Sequence, residues 1–326
     1  MEGLTTISFP KVVLRVALPT AAVLCLAVAA PGSEPVQGAF SHEALSARVP
    51  VLREHWYVVN AKVRPLLLFW IGRDNVGEAR LTWREGPDGR RAFEFLVGSD
   101  PARAPRHINR WGFIVEELNG KDAEVLGVMK ESREETIEEA EAEIGRQGDT
   151  STFKAVRTTI AGSRALSGSM TVHAPAHLTY RELDALLALT PAEPPSLRTL
   201  DVPAGTQKGF LVAMDSLIRD SVGPCRQGSD RARDVPVVAY VYNQALYDLS
   251  LLSCEYEPEL RMKTGTFAHV VDARFQVKHR TTKYETKFRL VYGTSGELRE
   301  VPVRAVFRPR WWMEIELELD RAAGES

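Results

Sequence analysis

Residues 45–320 read as one mainly β domain of the α+β kind: a curved antiparallel sheet, a half-barrel, covered by one or two helices and carrying a partly helical insertion at about 125–200. Three observations carry this expectation. Short segments in which apolar and polar residues alternate recur along the chain, as half-buried strands require. Turn-forming groups separate them, notably Gly86-Pro87-Asp88-Gly89, Asn119-Gly120 and Gly293-Thr294-Ser295-Gly296. One stretch, residues 206–222, has the broad apolar face of a globular helix.

At the N-terminus, Lys11 and Arg15 are followed by the apolar run VALPTAAVLCLAVAA, residues 16–30, in which Ala27-Val28-Ala29 offers small residues where a signal peptidase cuts. Residues 1–30 are therefore expected to be a secretory signal peptide. The run is too short, and too rich in Ala and Pro, for a comfortable membrane-spanning helix. A retained anchor, a chain that stays in the cytoplasm, and a lipoprotein processed at Cys25 are the alternatives. Leu24 argues against the last, since lipoprotein processing wants Gly or Ala before the cysteine. Residues 31–44 carry Pro, Gly and Ser and read as a flexible leader, and residues 321–326 as a tail. The expected location is periplasmic or secreted, in the bacterial envelope, with no membrane span after cleavage.

The first strands follow. Tyr57, Val59, Ala61 and Val63 alternate, and the apolar run at 66–71 leads into Gly72 and the polar Arg73-Asp74-Asn75, which read as a turn. Ala79, Leu81 and Trp83 resume the alternation, Phe93 and Phe95 begin another strand, and residues 111–118 form a further apolar stretch. Residues 130–146 change character: Glu131, Glu134, Glu135, Glu138, Glu139, Glu141 and Glu143 surround a stripe of Ile137, Ala140 and Ile144 at helical spacing. Glutamates four apart repel one another and favour water, so this reads as a solvated helix and not as a metal or acid-base site. Residues 153–172 return to alternation, with Gly162 and Gly168 as breaks. Thr179 and Glu182 form a capping box for a short helix, and Pro191, Pro194 and Pro195 a stiff connector. In the helix at 206–222 the apolar face is Phe210, Leu211, Met214, Leu217 and Ile218, and Gly223-Pro224 is its expected stop. Strands at 237–242 and 246–252 precede a β-meander over 264–319 that contains the double tryptophan Trp311-Trp312.

The 326 residues are 44% hydrophobic and 26% charged with a net charge of −2, ordinary globular material without the basic excess that nucleic acid or an anionic membrane would select. Once the leader is removed, Cys225 and Cys254 remain: one disulfide, or two buried thiols.

Motifs that would name a reaction are not found. Ser151-Thr152-Phe153-Lys154 followed by Lys263-Thr264-Gly265 has the order of penicillin-recognising serine enzymes. Its flanks read as strand, however, where Ser151 and Lys154 face opposite ways. His173 and His177 are four apart with Pro175 between them and no third ligand evident. No metal, cofactor or catalytic residue is assigned. Arg308-Pro309-Arg310-Trp311-Trp312 places an amphipathic Trp among arginines, which suits a membrane interface, a ligand-pocket rim or a Trp packed against a neighbouring strand.

The C-terminal pattern Gly265-Thr266-Phe267, the strand at 273–277, the strand at 288–292, Pro302-Val303-Arg304 and the Leu-rich strand at 316–319 resembles the domain-of-unknown-function family DUF3108 of bacterial envelope proteins. Gly77-Glu78-Ala79-Arg80-Leu81 matches the opening strand of that family. About half the chain is covered by short motifs. The resemblance implies export and the half-barrel of periplasmic lipoprotein carriers, in which a curved sheet wraps a greasy cavity, and it implies no catalytic residue. The expected function is non-catalytic binding of a lipid or other apolar or amphipathic small molecule, with pocket walls at Leu68, Trp70, Phe210, Met214, Tyr240, Tyr242, Phe288 and Trp311. The alternatives are a structural or protein-interaction scaffold with an envelope protein partner, and an envelope hydrolase built where two or more of His173, His177, Glu182 and Asp215 converge.

Overall fold

The structure is a computed structural model that describes residues 49–64, 70–104, 107–130, 150–175, 177–183, 196–282, 284–310 and 313–320. These lie in one compact unit, Gly38–Ser326. Fourteen strands form a single antiparallel sheet: β1 (Val51–Val63), β2 (Ile71–Glu85), β3 (Arg91–Ser99), β4 (Trp111–Asn119), β5 (Asp122–Lys130), β6 (Thr150–Ala161), β7 (Arg164–Pro175), β8 (Ser196–Asp201), β9 (Val238–Tyr242), β10 (Ala245–Met262), β11 (Gly265–His279), β12 (Glu285–Gly293), β13 (Pro302–Arg310) and β14 (Met313–Leu319). The strand order is 8-7-6-5-4-3-2-1-14-13-12-11-10-9. The chain thus starts in mid-sheet and meanders to the edge at β8. It crosses to the far edge at β9 and meanders back until β14 pairs with β1, Tyr57 opposite Leu319.

The crossing holds helix α1 (Phe210–Gln227). Its buried face, with Ala213, Met214, Leu217, Ile218 and Val222, packs on Tyr240, Leu249, Leu251, Val271, Ala273, Phe275, Leu290 and Tyr292 of β9–β12. Its first turn, Leu211 and Val212, packs instead on Trp83, Phe93, Leu118, Ala123 and Ile160 of the other wing. One helix touching both wings requires a sheet bent around it, the expected curved half-barrel with its helical cover. Each large apolar side chain hidden in this way contributes about 1.5–3 kcal/mol at most. The edges β8 and β9 do not pair, yet they lie close. Gln244, in the β9–β10 turn, donates its N–H to Ser167 Oγ on β7 at 3.1 Å and its side-chain amide to the Ser196 carbonyl at 2.9 Å.

Three expectations are corrected. The stretch about 125–200 does not interrupt the sheet: β5, β6, β7 and β8 fall within it and continue the ladder without a break, Gly168 lying inside β7 opposite Arg157. The acidic segment 131–149 and the prolines at 191–195 lie outside the described residues. Arg73-Asp74-Asn75 is not a turn between strands but an irregularity within β2, where the register jumps from Val59–Gly77 to Ala61–Arg73. Asn75 takes a left-handed φ of 54°, which Asn tolerates, and the Asn60 side chain accepts its N–H at 2.9 Å. Finally, α1 runs through Gly223-Pro224 to Gln227. A proline so near the end removes one helical hydrogen bond, and the bond between Cys225 and Cys254, with Cα atoms 5.8 Å apart, ties that last turn to β10.

The predicted turns at Gly89 (φ 78°), Gly120 (φ 58°) and Gly162 (φ 58°) are present. The Thr179–Glu182 capping box is formed, Glu182 accepting the Thr179 N–H at 2.8 Å. Its short 3-10 turn, Tyr180–Glu182, lies on the outer face, where Tyr180 and Leu183 cover Leu96, Phe113, Val128 and Ala155.

Candidate functional site

Five of the eight residues expected to line a pocket come together at the start of α1. Phe210 stands 5.7 Å from Tyr240 and 6.4 Å from Phe288, ring centre to ring centre. Met214 and Tyr240 are buried in the same apolar cluster, against which Phe210, Tyr242 and Phe288 pack while partly exposed. Strand register explains the meeting. Phe288 lies opposite Phe275, and Tyr247 opposite Tyr240, so each pair shares a face. Phe275 stacks on Phe288 at 5.5 Å and Tyr247 on Tyr240 at 5.2 Å, extending the aromatic surface by two residues. Trp70 is placed elsewhere: it lies beside Arg64 and Arg308, whose guanidinium carbons are 6.0 and 5.4 Å from its ring. Leu68, Trp311 and Trp312 lie outside the described residues.

Beneath the aromatic group sits Glu116, fully buried on β4. Its Oε1 accepts the N–H of Leu211 and its Oε2 that of Val212, each at 2.9 Å. The residue before α1 is Gly209, which offers no side-chain cap, so a carboxylate from another strand caps the helix. Burial pushes the Glu116 carboxyl up to about 7, against the pull of the Val212, Leu211 and Phe210 N–H groups. Tyr242, whose hydroxyl lies against Gly127 of β5, is pushed up to about 12, by burial first and Glu116 second. Burial raises Tyr240 further still.

A second polar group lies where α1 faces β1. Arg53 stacks over Trp83, its guanidinium carbon 4.0 Å from the ring centre, and His55 meets the same ring edge-on at 5.8 Å. Burial lowers the pKa of Arg53, offset by Asp215 and Glu300, and lowers that of His55 through burial and then Arg53.

None of Glu116, Arg53, Trp83, Phe275 or Tyr247 is singled out by sequence reasoning. A signal exists for Glu116. It is in phase with Gly112, Ile114 and Leu118, so in an apolar strand it falls on the core-facing set. The cross-chain partners carry no comparable mark.

The residues of the alternative enzymatic readings are dispersed into other roles. Asp215 pairs with Arg219 on α1, Glu182 is held in its capping box, and His173 and His177 are exposed. Ser151 to Lys154 lie in β6, and Lys263 pairs with Asp74 at 2.5 Å in the β10–β11 turn. Among the described residues no group of three His, Cys, Asp or Glu side chains could hold a metal ion, and no helix is long and apolar enough to cross a membrane.

No protein family matches the chain, DUF3108 included, and no curated protein matches it. Among solved structures, a β-barrel-like protein of domain of unknown function DUF1849 from Brucella abortus aligns with 83% of this chain and 95% of its own, at 10% identity and a TM-score of 0.37.

Proposed function

We propose that this chain is an exported envelope protein that binds an apolar or amphipathic molecule without transforming it, at the aromatic surface around Phe210. The observation that carries this reading is the partial exposure of Phe210, Tyr242, Tyr247 and Phe288 beside the buried Tyr240 and Met214. Aromatic surface left in water at the point where helix and sheet meet favours an apolar guest. Hiding about 150 Å² of it would supply about 4 kcal/mol before ordering costs. The signal-like run at 16–30, the bond between Cys225 and Cys254 and the DUF3108-like pattern support export, since disulfides persist in oxidising compartments.

Native mass spectrometry of protein purified without detergent tests the reading. The expected result is a bound lipid-sized mass that dissociates on collisional activation and is lost in Phe210→Asp, with folding verified by circular dichroism. A clean apo mass, together with no uptake of added decanol, would overturn it.

A further inference from the structure

A rung of the inner face crosses β1, β2, β3 and β4 as Arg53, Trp83, Phe93 and Glu116, each opposite the next. At its β1 end two buried donors, Arg53 Nε and the Trp83 indole Nε1, have no acceptor among the described residues. Trp83 is only 7% exposed. Each donor kept from water without a partner costs about 1–3 kcal/mol, so two side by side on one stacked pair favour a further oxygen acceptor there.

The acids nearby do not supply it. Asp215 is paired with Arg219, and Glu300 with Arg299 at 3.1 Å and Arg219 at 3.8 Å. Among the charges that act on Arg53, Arg219 stands beside it against Asp215 and Glu300, and both carboxylates are already engaged by Arg219. With both carboxylates turned to Arg219, the guanidinium fork of Arg53 suits an anionic oxygen group. Trp83 belongs to the same apolar cluster as Leu211, Val212 and Phe210, and Phe210 reaches Tyr240 and Phe288. The donors and the aromatic surface are therefore linked through one continuous apolar cluster.

We propose that Arg53 and Trp83 are the head-group site of this protein, binding the carboxylate or phosphate of an amphiphile whose chain runs along Phe210 toward Tyr240 and Phe288. The assignment rests on the binding reading above and narrows it to anionic amphiphiles.

Calorimetric titration of the full chain with decanoate, decyl phosphate and decanol tests it, the three probes sharing a chain length and differing in the head. The expected result is that at least one anion binds tenfold or more tightly than decanol, and that Arg53→Gln brings the anion-to-alcohol ratio to about threefold or less. Tighter binding of decanoate identifies a fatty-acid-like ligand, and tighter binding of decyl phosphate a phosphorylated one. Equal binding of all three, or a ratio that survives Arg53→Gln, overturns the head-group assignment and leaves the apolar reading standing. Binding of none overturns both. Should Arg53→Gln not fold, Trp83→Phe keeps an aromatic ring under Arg53 and removes the N–H together with part of the indole, a loss of bulk that all three probes share. A several-fold fall in the ratio then supports the assignment, and an unchanged ratio overturns it.

Discussion

Glu116 and Leu211 are 95 residues apart in sequence and 2.9 Å apart at the hydrogen bond that starts α1. The pair joins the β1–β8 wing of the sheet to the helix that fills its curve, and Val212 doubles the contact. An ideal Cβ on Gly209 would come within 2.1 Å of the Glu116 carboxyl carbon, so the absence of a side chain there is what lets the carboxylate reach the helix. Glu116→Ala should cost about 2–4 kcal/mol, because two buried N–H groups lose their acceptor. Gly209→Ala should cost about 1–3 kcal/mol by displacing the carboxylate. Urea denaturation at pH 6 measures both, and the double variant should cost less than the sum, since each change breaks the same contact.

The same carboxyl makes stability depend on pH. In the folded protein burial raises its pKa from 4.5 to about 7. Between those values the folded state keeps a proton that the unfolded chain releases. Its contribution is therefore full below about pH 4.5 and is lost as pH rises through 7, reaching about 3 kcal/mol. This is opposite in sign to an ordinary ion-paired carboxylate. Denaturation midpoints at pH 5 and pH 8 should differ less in Glu116→Gln than in the parent, because the amide does not titrate. An identical pH dependence in both proteins would contradict the assignment.

Ser221 and Tyr292 give an asymmetric pair of expectations. Ser221 Oγ donates to the Ile218 carbonyl at 2.7 Å, so its one proton is committed and the Tyr292 hydroxyl, 2.6 Å away, must donate to it. Both residues are fully buried. Tyr292→Phe removes a donor whose acceptor stays otherwise engaged and should cost about 1 kcal/mol. Ser221→Ala strands the tyrosine hydroxyl without an acceptor and should cost about 2–3 kcal/mol. Equal costs in urea denaturation would refute the direction given to the hydrogen bond.

The strands were legible because burial on one face writes itself as alternation. Phe275 and Val277, or Leu317 and Leu319, announce a core face without reference to any partner. The aromatic group was partly legible for the same reason, since Phe210, Tyr240 and Phe288 are large apolar residues on elements that pattern alone locates. What could not be read is which face meets which. The two halves of the open sheet are joined in its middle by the β1–β14 pairing, and α1 bridges wings whose contacts are far apart in sequence. Glu116 is the sharpest case. The missing N-cap at Gly209 is visible in the sequence, but its replacement comes from a strand that only register and curvature bring there. Asn75 misled because a left-handed asparagine marks a bulge and a turn equally well.

The bond between Cys225 and Cys254 fixes the one place where α1 outlasts its own stop signal. Pro224 deprives the last turn of a backbone bond, yet the helix continues to Gln227 with Cys225 buried against Cys254 on β10. The sequence separation is 29 residues, for which loop closure in the unfolded chain accounts for about 3–4 kcal/mol. The Cys225→Ala, Cys254→Ala double variant should lose that amount in urea denaturation, and the parent should lose a similar amount once unfolded and refolded under reductant. Because the bond ties only the C-terminal end of α1 while Glu116 holds the other end, amide exchange should rise first over residues 222–227 in the variant. Uniform deprotection of the whole helix would show that the two anchors do not act separately.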